Sequence, residues 1–378
     1  MEARPVDGRF RKGRSGTGME ETGKKNIAII GVILAGIVYF LVCAAPLPKE
    51  LLLLPVWARS FAAAPAAPAP AVSASSLKDL HPFRIGDRFG YFSTSGDILF
   101  SATVPFGLAV SKDSYALYDQ TSNGFSVRSP VGSELFKVSM PGYPFFAAGR
   151  RFVLGTSQDS VSELDANGAR AWSYDFPSIV TAFGASPELA VFGLMDGTLV
   201  GLDPSGRETL HFSSGGSSIP GIYGVAVSPD GQLVAAIAGL DRQRLVVLEK
   251  RYSAYRVTWH RWLESDFRRP VAIAFTEDGK RLMYEAPGGV GIFERETRND
   301  YLIAAPAANQ LGLSVKTRDI LVLLAGGEDA KRLICVAAPD RRLVDLPIVA
   351  SQTFIDVSGD SIFLGADDEL IRMDLREE

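Results

Sequence analysis

Down the last three-quarters of the chain, short apolar runs and tight polar turns alternate on one repeated plan. An apolar strand leads into a polar turn, a second apolar strand follows, and a third ends in an acidic residue. The clearest copy is Tyr223-Gly224-Val225-Ala226-Val227-Ser228-Pro229-Asp230-Gly231, then Leu233–Ala238, then Leu245–Glu249. A second is Val271–Phe275, Thr276-Glu277-Asp278-Gly279, Arg281–Tyr284 and Gly291–Glu294. Repetition of this kind predicts a closed array of small antiparallel sheets, each too small to be stable alone.

Aligned on these copies, seven segments read as first strands, nearest the array axis: 106–111, 145–149, 179–185, 223–228, 271–276, 311–316 and 353–358. Their spacing of about 40 residues suits four short strands and their turns. Fourth strands read at 135–139, 171–176, 208–213, 255–260, 301–304 and 343–347, one fewer than the first strands. The chain ends on a third strand, 370–375, and 97–104 reads as a spare outer strand. The expected fold is therefore all-β, a seven-bladed β-propeller closed by pairing of 97–104 with 370–375, which removes an exposed sheet edge. Arg88–Thr94 reads as a strand without a place in this count.

The N-terminal region follows a different pattern. Residues 27–45 are nineteen apolar residues without a charge, near the length needed to cross a bilayer. Seven Lys/Arg against four acids precede them, with Lys24 and Lys25 abutting the run. The expectation is a cytoplasmic basic tail over 1–25 and a transmembrane signal anchor over 26–45, with everything beyond it extracytoplasmic, in the periplasm. Two alternatives stand beside it: cleavage near Ala45 with secretion, or lipid anchoring at Cys43 within Leu41-Val42-Cys43. Residues 46–80 read as an Ala/Pro-rich linker, in which Leu51–Trp57 suits a membrane interface and Phe61–Ser76 a semi-extended spacer. The propeller is expected over 81–378.

Composition narrows the function. The net charge of −4 gives no basic field for nucleic acid, and none is expected as a partner. With two cysteines, Cys43 and Cys335, there is neither a disulfide framework nor a Cys-rich metal site. Cys335, within Leu333–Ala337, reads as a small buried apolar residue.

Asp165-Ala166-Asn167-Gly168-Ala169-Arg170-Ala171-Trp172 resembles the repeat of pyrroloquinoline-quinone-type (PQQ-like) propellers, and Asp203-Pro204-Ser205-Gly206-Arg207-Glu208 resembles its first half. The Ser228-Pro229-Asp230-Gly231 turn resembles WD-repeat propellers, without their Trp-Asp and Gly-His pairs. The chain is thus similar to a divergent WD-like/PQQ-like propeller over roughly 84–378, which implies a fold and not an activity. In fold and compartment it is also similar to the propeller lipoproteins of outer-membrane barrel assembly. The quinone does not carry over: only Trp172 and Trp259 fall in outer strands, and no metal-ligand cluster is visible, so no cofactor is expected.

The three histidines, His81, His211 and His260, have no acidic or nucleophilic partner in register, and solvated strand positions are expected for them. Asp367-Asp368-Glu369 suits a turn better than a cation site. One surface stands out. The segment His260–Pro270 carries Arg261, Trp262, Phe267, Arg268 and Arg269, and the loops at 239–244 and 325–332 open on the same face, adding Arg242, Arg244, Lys331 and Arg332 to its rim. Arg and Trp are enriched at binding hot spots. The plainer alternative is that Trp262 and Phe267 fold back as loop plugs while the arginines serve solubility. The expected function is a membrane-tethered, non-catalytic interaction scaffold with a protein partner on the extracytoplasmic side. The alternative is a hydrolase, lyase or small-ligand-binding protein using the central funnel, which would need Asp356 and Lys316 to line a polar axial pocket.

Overall fold

A computed structural model describes residues 30–39, 51–68, 79–121, 123–305, 314–315, 320–326, 331–337 and 340–377. Residues 1–50 with 377–378 form one unit and 51–376 the other. In the first unit, the described residues form a helix over 30–39. In the second, eight small antiparallel sheets follow one another in the chain, each a blade.

Blade one is β2 (Leu80–Ile85), β3 (Arg88–Ser93) and β4 (Ile98–Thr103). Blade two is β5 (Gly107–Val110), β6 (Tyr115–Tyr118), β7 (Phe125–Arg128) and β8 (Glu134–Val138). Blade three is β9 (Tyr143–Ala147), β10 (Arg150–Leu154), β11 (Ser160–Leu164) and β12 (Arg170–Asp175). Blade four is β13 (Val180–Ala185), β14 (Ala190–Leu194), β15 (Thr198–Leu202) and β16 (Glu208–Ser213). Blade five is β17 (Ile222–Val227), β18 (Leu233–Ala238), β19 (Arg244–Arg251) and β20 (Ala254–Trp262). Blade six is β21 (Ile273–Phe275), β22 (Arg281–Ala286), β23 (Gly289–Glu294) and β24 (Asp300–Ala304). Blade seven is β25 (Ser314–Val315), β26 (Ile320–Gly326), β27 (Lys331–Ala337) and β28 (Arg341–Ile348). Blade eight is β29 (Thr353–Ser358), β30 (Ser361–Ala366) and β31 (Glu369–Glu377), with β1 (Leu51–Ser60) paired on β31 as its outermost strand.

The hydrophobic pattern sets these positions. Second strands such as Leu233-Val234-Ala235-Ala236-Ile237-Ala238 are buried at every residue, because a neighbouring blade covers each face. Outer strands such as Arg170–Asp175 alternate between exposed and half-buried residues. First strands carry small residues because blades converge on the axis: a Cβ on Gly224 would lie 2.7 Å from the Val271 carbonyl oxygen of the next blade. Polar turns join the strands. In the Ser228–Gly231 turn, Ser228 Oγ donates to Asp230 Oδ1 at 2.5 Å and accepts from Leu233 N at 2.8 Å. Thr276–Gly279 repeats the knot with Thr276 Oγ1 and Asp278. The PQQ-like turn links blades: Trp172 of blade three donates from Nε1 to Pro204 O, and its ring lies where a Cβ on Gly206 would reach it at 2.6 Å.

Several expectations are corrected. There are eight blades, not seven. The extra one is blade one: Arg88–Thr94, without a place in the seven-blade count, holds its second strand, and 97–104 its third. Its first strand, Leu-His-Pro-Phe-Arg-Ile, carries an imidazole and an arginine, which no other described first strand does. Pro82 is tolerated because the axial strand has a free edge. Ring closure is made by β1, not by 97–104, which is the third strand of blade one. The linker assigned to 46–80 therefore contains a blade strand and a strap. After β1, Phe61 N donates to Asp368 O of blade eight, and Pro65 O accepts from Ser101 N of blade one. Phe61 itself is 1% exposed, packed with Phe83, Phe92, Ile85, Phe363 and Leu370 from those two blades.

A further correction concerns the membrane. Among the described residues no helix is long and apolar enough to cross a bilayer, the described helix covering ten residues, 30–39. The rest of the 26–45 run, including Cys43 and Ala45, lies outside the described residues, as does the tail over 1–25. The transmembrane anchor, and the extracytoplasmic placement that rested on it, fall with that finding.

His81 is also not a solvated strand position. It is 3% exposed, its Nδ1 lies 2.6 Å from Asp356 Oδ2, and its ring meets Phe363 at 4.4 Å and Phe92 at 5.3 Å. It fastens the first strand of blade one to that of blade eight.

Two predictions concern the seam and the turns. Phe61→Ala should cost about 3–5 kcal/mol in urea unfolding, because it empties a site shared by the first and last blades. The second rests on Asp203. Its burial alone would raise the pKa, but hydrogen bonds from Ser205 and Arg207 outweigh it and hold the carboxyl at about 2. A depressed folded pKa gives stability that is present above the ordinary aspartate range and lost as pH falls from about 4 towards about 2. Asp203→Ala should therefore lower the melting temperature at pH 7, with the gap to wild type closing near pH 2.

Candidate partner-binding face

In this topology the turns joining second to third strands and the links between blades emerge on one face of the ring. The candidate residues come from three such segments: the second-to-third-strand turns of blades five and seven and the link between blades five and six. Arg261 and Trp262 are not in a loop: β20 runs to Trp262, with Arg244 opposite Trp262 and Leu245 opposite Arg261. Alternation along the strand then sends the two side chains to opposite sides.

Trp262 is held between arginines. The Arg242 and Arg244 guanidinium carbons lie 4.4 and 5.3 Å from its ring centroid. Arg244 also donates to the Ser214 carbonyl, and burial lowers its pKa. The indole rests against Gly216 of the preceding link yet stays 38% exposed. It is neither a plug nor a free loop aromatic.

The link that follows is stapled down. Leu263 is buried, with its N–H donating to Gln243 O at 2.9 Å. The Gln243 side chain is fully buried, donating from Nε2 to Phe267 O at 2.7 Å and accepting from Ser265 Oγ at 2.6 Å. Phe267 is half-buried against the core shared by blades five and six, with Arg269 4.9 Å above its ring. Arg269 is consumed by an ion pair, donating to Glu285 at 2.5 and 2.9 Å, and the hydrogen bond raises its pKa. Arg261 is similarly consumed by Asp300 and Tyr284 of blade six, with its pKa raised by the Asp300 hydrogen bond. Arg242 and Arg268 have no carboxylate partner among the described residues. Lys331 and Arg332 are engaged as well: Lys331 Nζ donates to Ala350 O and Ser351 O, and Arg332 pairs with Asp345.

Beside the link lies a cavity of about 380 Å³ that sequence reasoning missed. It opens on the same face near the axis, lined by Ile179, Met195, Tyr223, Arg268 and Pro270 among others. The available signal was a proline recurring in successive links, Pro177, Pro220 and Pro270. Two further depressions lie at blades five and three, one lined by Arg242 and Trp262 together with the acids Asp241, Glu264 and Asp266, the other including Thr156, Ser157 and Arg170.

The groups considered for catalysis are engaged structurally. Asp356 is held by His81, while Lys316 lies outside the described residues. Asp367 Oδ1 accepts from Ser351 and Gln352 backbone N–H groups. His211 sits exposed at 3.1 Å from Glu208 Oε1. The Cys335 thiol is pushed up to about 12 by burial. Among the described residues no three His, Cys, Asp or Glu side chains are grouped to hold a metal ion.

The comparisons agree with this architecture. A family model described as "beta-propeller protein" matches residues 19–378, and the chain belongs to that family. A protein of Treponema pallidum (strain Nichols), described as uncharacterized, is 29% identical over 344 residues, covering 90% of this chain and 91% of its own length. Among solved structures, BamB from Moraxella catarrhalis is similar with a TM-score of 0.57 at 12% identity, over 85% of this chain and 100% of BamB. The computationally designed Ika8 protein is similar with a TM-score of 0.58 at 16% identity, over 87% of this chain and 100% of its own. At such identities the structural likeness is one of fold.

Arg269→Ala would leave the Glu285 carboxylate, 1% exposed, without its counter-ion. Because Arg269 is itself half-exposed, the cost should be about 1–3 kcal/mol rather than that of a fully buried pair. Adding Glu285→Gln should recover part of it, as read by urea unfolding of both variants.

Proposed function

We propose that this propeller is a non-catalytic interaction module that docks a protein partner on the face built by the blade links around blades three to six. The observation that supports this reading best is the Arg242–Trp262–Arg244 stack. It is a flat amphipathic platform, partly open to solvent, on a segment anchored by the buried Gln243 side chain. A rigid aromatic flanked by guanidinium groups loses little side-chain entropy on binding and can bury apolar area while pairing with acids. The funnel-enzyme reading has less support, since Asp356, the axial acid it would use, serves blade closure through His81.

The test is cross-linked affinity capture with the full chain, quantified by mass spectrometry. Arg242→Glu with Trp262→Ala should keep the β-sheet circular-dichroism signal and lose a defined set of captured proteins. Arg207→Glu, in the 203–207 turn on the opposite face, should retain that set. Identical capture by all three proteins would contradict the reading.

A further inference from the structure

The cavity beside the Trp262 platform combines two properties. Its wall is largely apolar, from Ile179, Val180, Ile222, Tyr223 and Pro270, and Met195 overhangs the mouth at 56% exposure. Ile179 is also exposed to a degree unusual for a large aliphatic side chain at a strand start. Two polar groups within this wall are already bonded: Thr181 Oγ1 donates to Ile222 O at 2.7 Å, and the Gln158 carbonyl accepts from Val180 N at 2.8 Å.

The charge at the rim is unbalanced in one direction. Arg268 and Arg269 both line the cavity, and Arg269 is neutralised by Glu285. Arg268 is exposed and has no counter-ion among the described residues. The nearest acids along the chain, Asp159 and Asp266, are not among the lining residues. Gln158 stands at the rim with a side-chain amide able to meet a backbone peptide group.

We infer that this cavity receives a bulky apolar side chain from an extended acidic segment of a protein partner, with a carboxylate next to that side chain pairing with Arg268. The volume of about 380 Å³ lies within the range of specific binding pockets. Met195 gives the wall a flexible, polarisable surface that adapts to the incoming side chain. A guanidinium beside an apolar hollow selects for an acid adjacent to the anchor, through a charge-assisted hydrogen bond. This inference rests on the docking face proposed above and specifies what enters it.

A phage-displayed library of random linear peptides, panned against the full chain, tests it. Enriched peptides should carry a bulky apolar residue flanked by Asp or Glu. Synthetic copies should bind Arg268→Glu and Met195→Glu proteins at least about tenfold more weakly by fluorescence anisotropy, a loss of about 1.4 kcal/mol. Arg268→Lys should keep part of the affinity, because it retains the charge. Both positions are exposed, so these variants should fold, and circular dichroism checks that they do. No enrichment, enrichment without acidic residues, or affinities unchanged in the Arg268→Glu and Met195→Glu proteins would overturn the assignment. Peptides whose binding falls with Trp262→Ala but not with these variants would retain the docking face and remove the cavity from it.

Discussion

A ring of sheets is only as stable as its last edge, and here that edge is β31. Paired on one side with β30, it would otherwise present a row of unsatisfied backbone groups to solvent. Strand β1, recruited from some 300 residues away in the chain, covers it, and Phe61 and the strap to Ser101 then tie blade eight to blade one. The middle strands of every blade depend on this closure, because each is buried only while both neighbouring blades are in place. His81 and Asp356 reinforce the same seam from the axial side, where Phe92 and Phe363 pack against the imidazole.

Closure makes the proposed docking face possible. No single blade contains the candidate site: Trp262 leans on the link between blades four and five, Arg269 is neutralised from blade six, and the cavity gathers residues from blades three to six. Side chains brought together from separate blades keep their geometry only if the blades do not shift against one another. The buried Gln243 side chain and the Arg269–Glu285 pair convert that global rigidity into a local one, fixing a link that would otherwise be a mobile loop.

Much of the fold is legible in the sequence because it is written locally. Seven first strands stand out through alternation and short polar turns, the clearest being Ser228–Gly231 and Thr276–Gly279, in which the Ser or Thr bonds the Asp two residues on. The eighth is masked by His81, Pro82 and Arg84, residues explained only by partners in blade eight or by the open axial edge. Leu51–Ser60 was misread for a similar reason: an apolar run beside Ala and Pro looks like a tether until β31, near the far end of the chain, supplies its partner. The candidate patch was visible as a cluster of residue types. What each one does was not, because Asp300 and Glu285 lie in another blade and turn Arg261 and Arg269 from candidate contacts into braces. The cavity left almost no trace, since it is assembled from individually ordinary side chains.

Hydrogen-exchange mass spectrometry of the intact chain over 51–60 and 369–376 tests the closure most directly. If β1 is the outer strand of blade eight, amides in both segments are protected and open together with the ring as a whole. Rapid exchange over 51–60, with 369–376 behaving as a frayed edge, would show that residues 51–60 are a spacer and that the ring is closed in some other way.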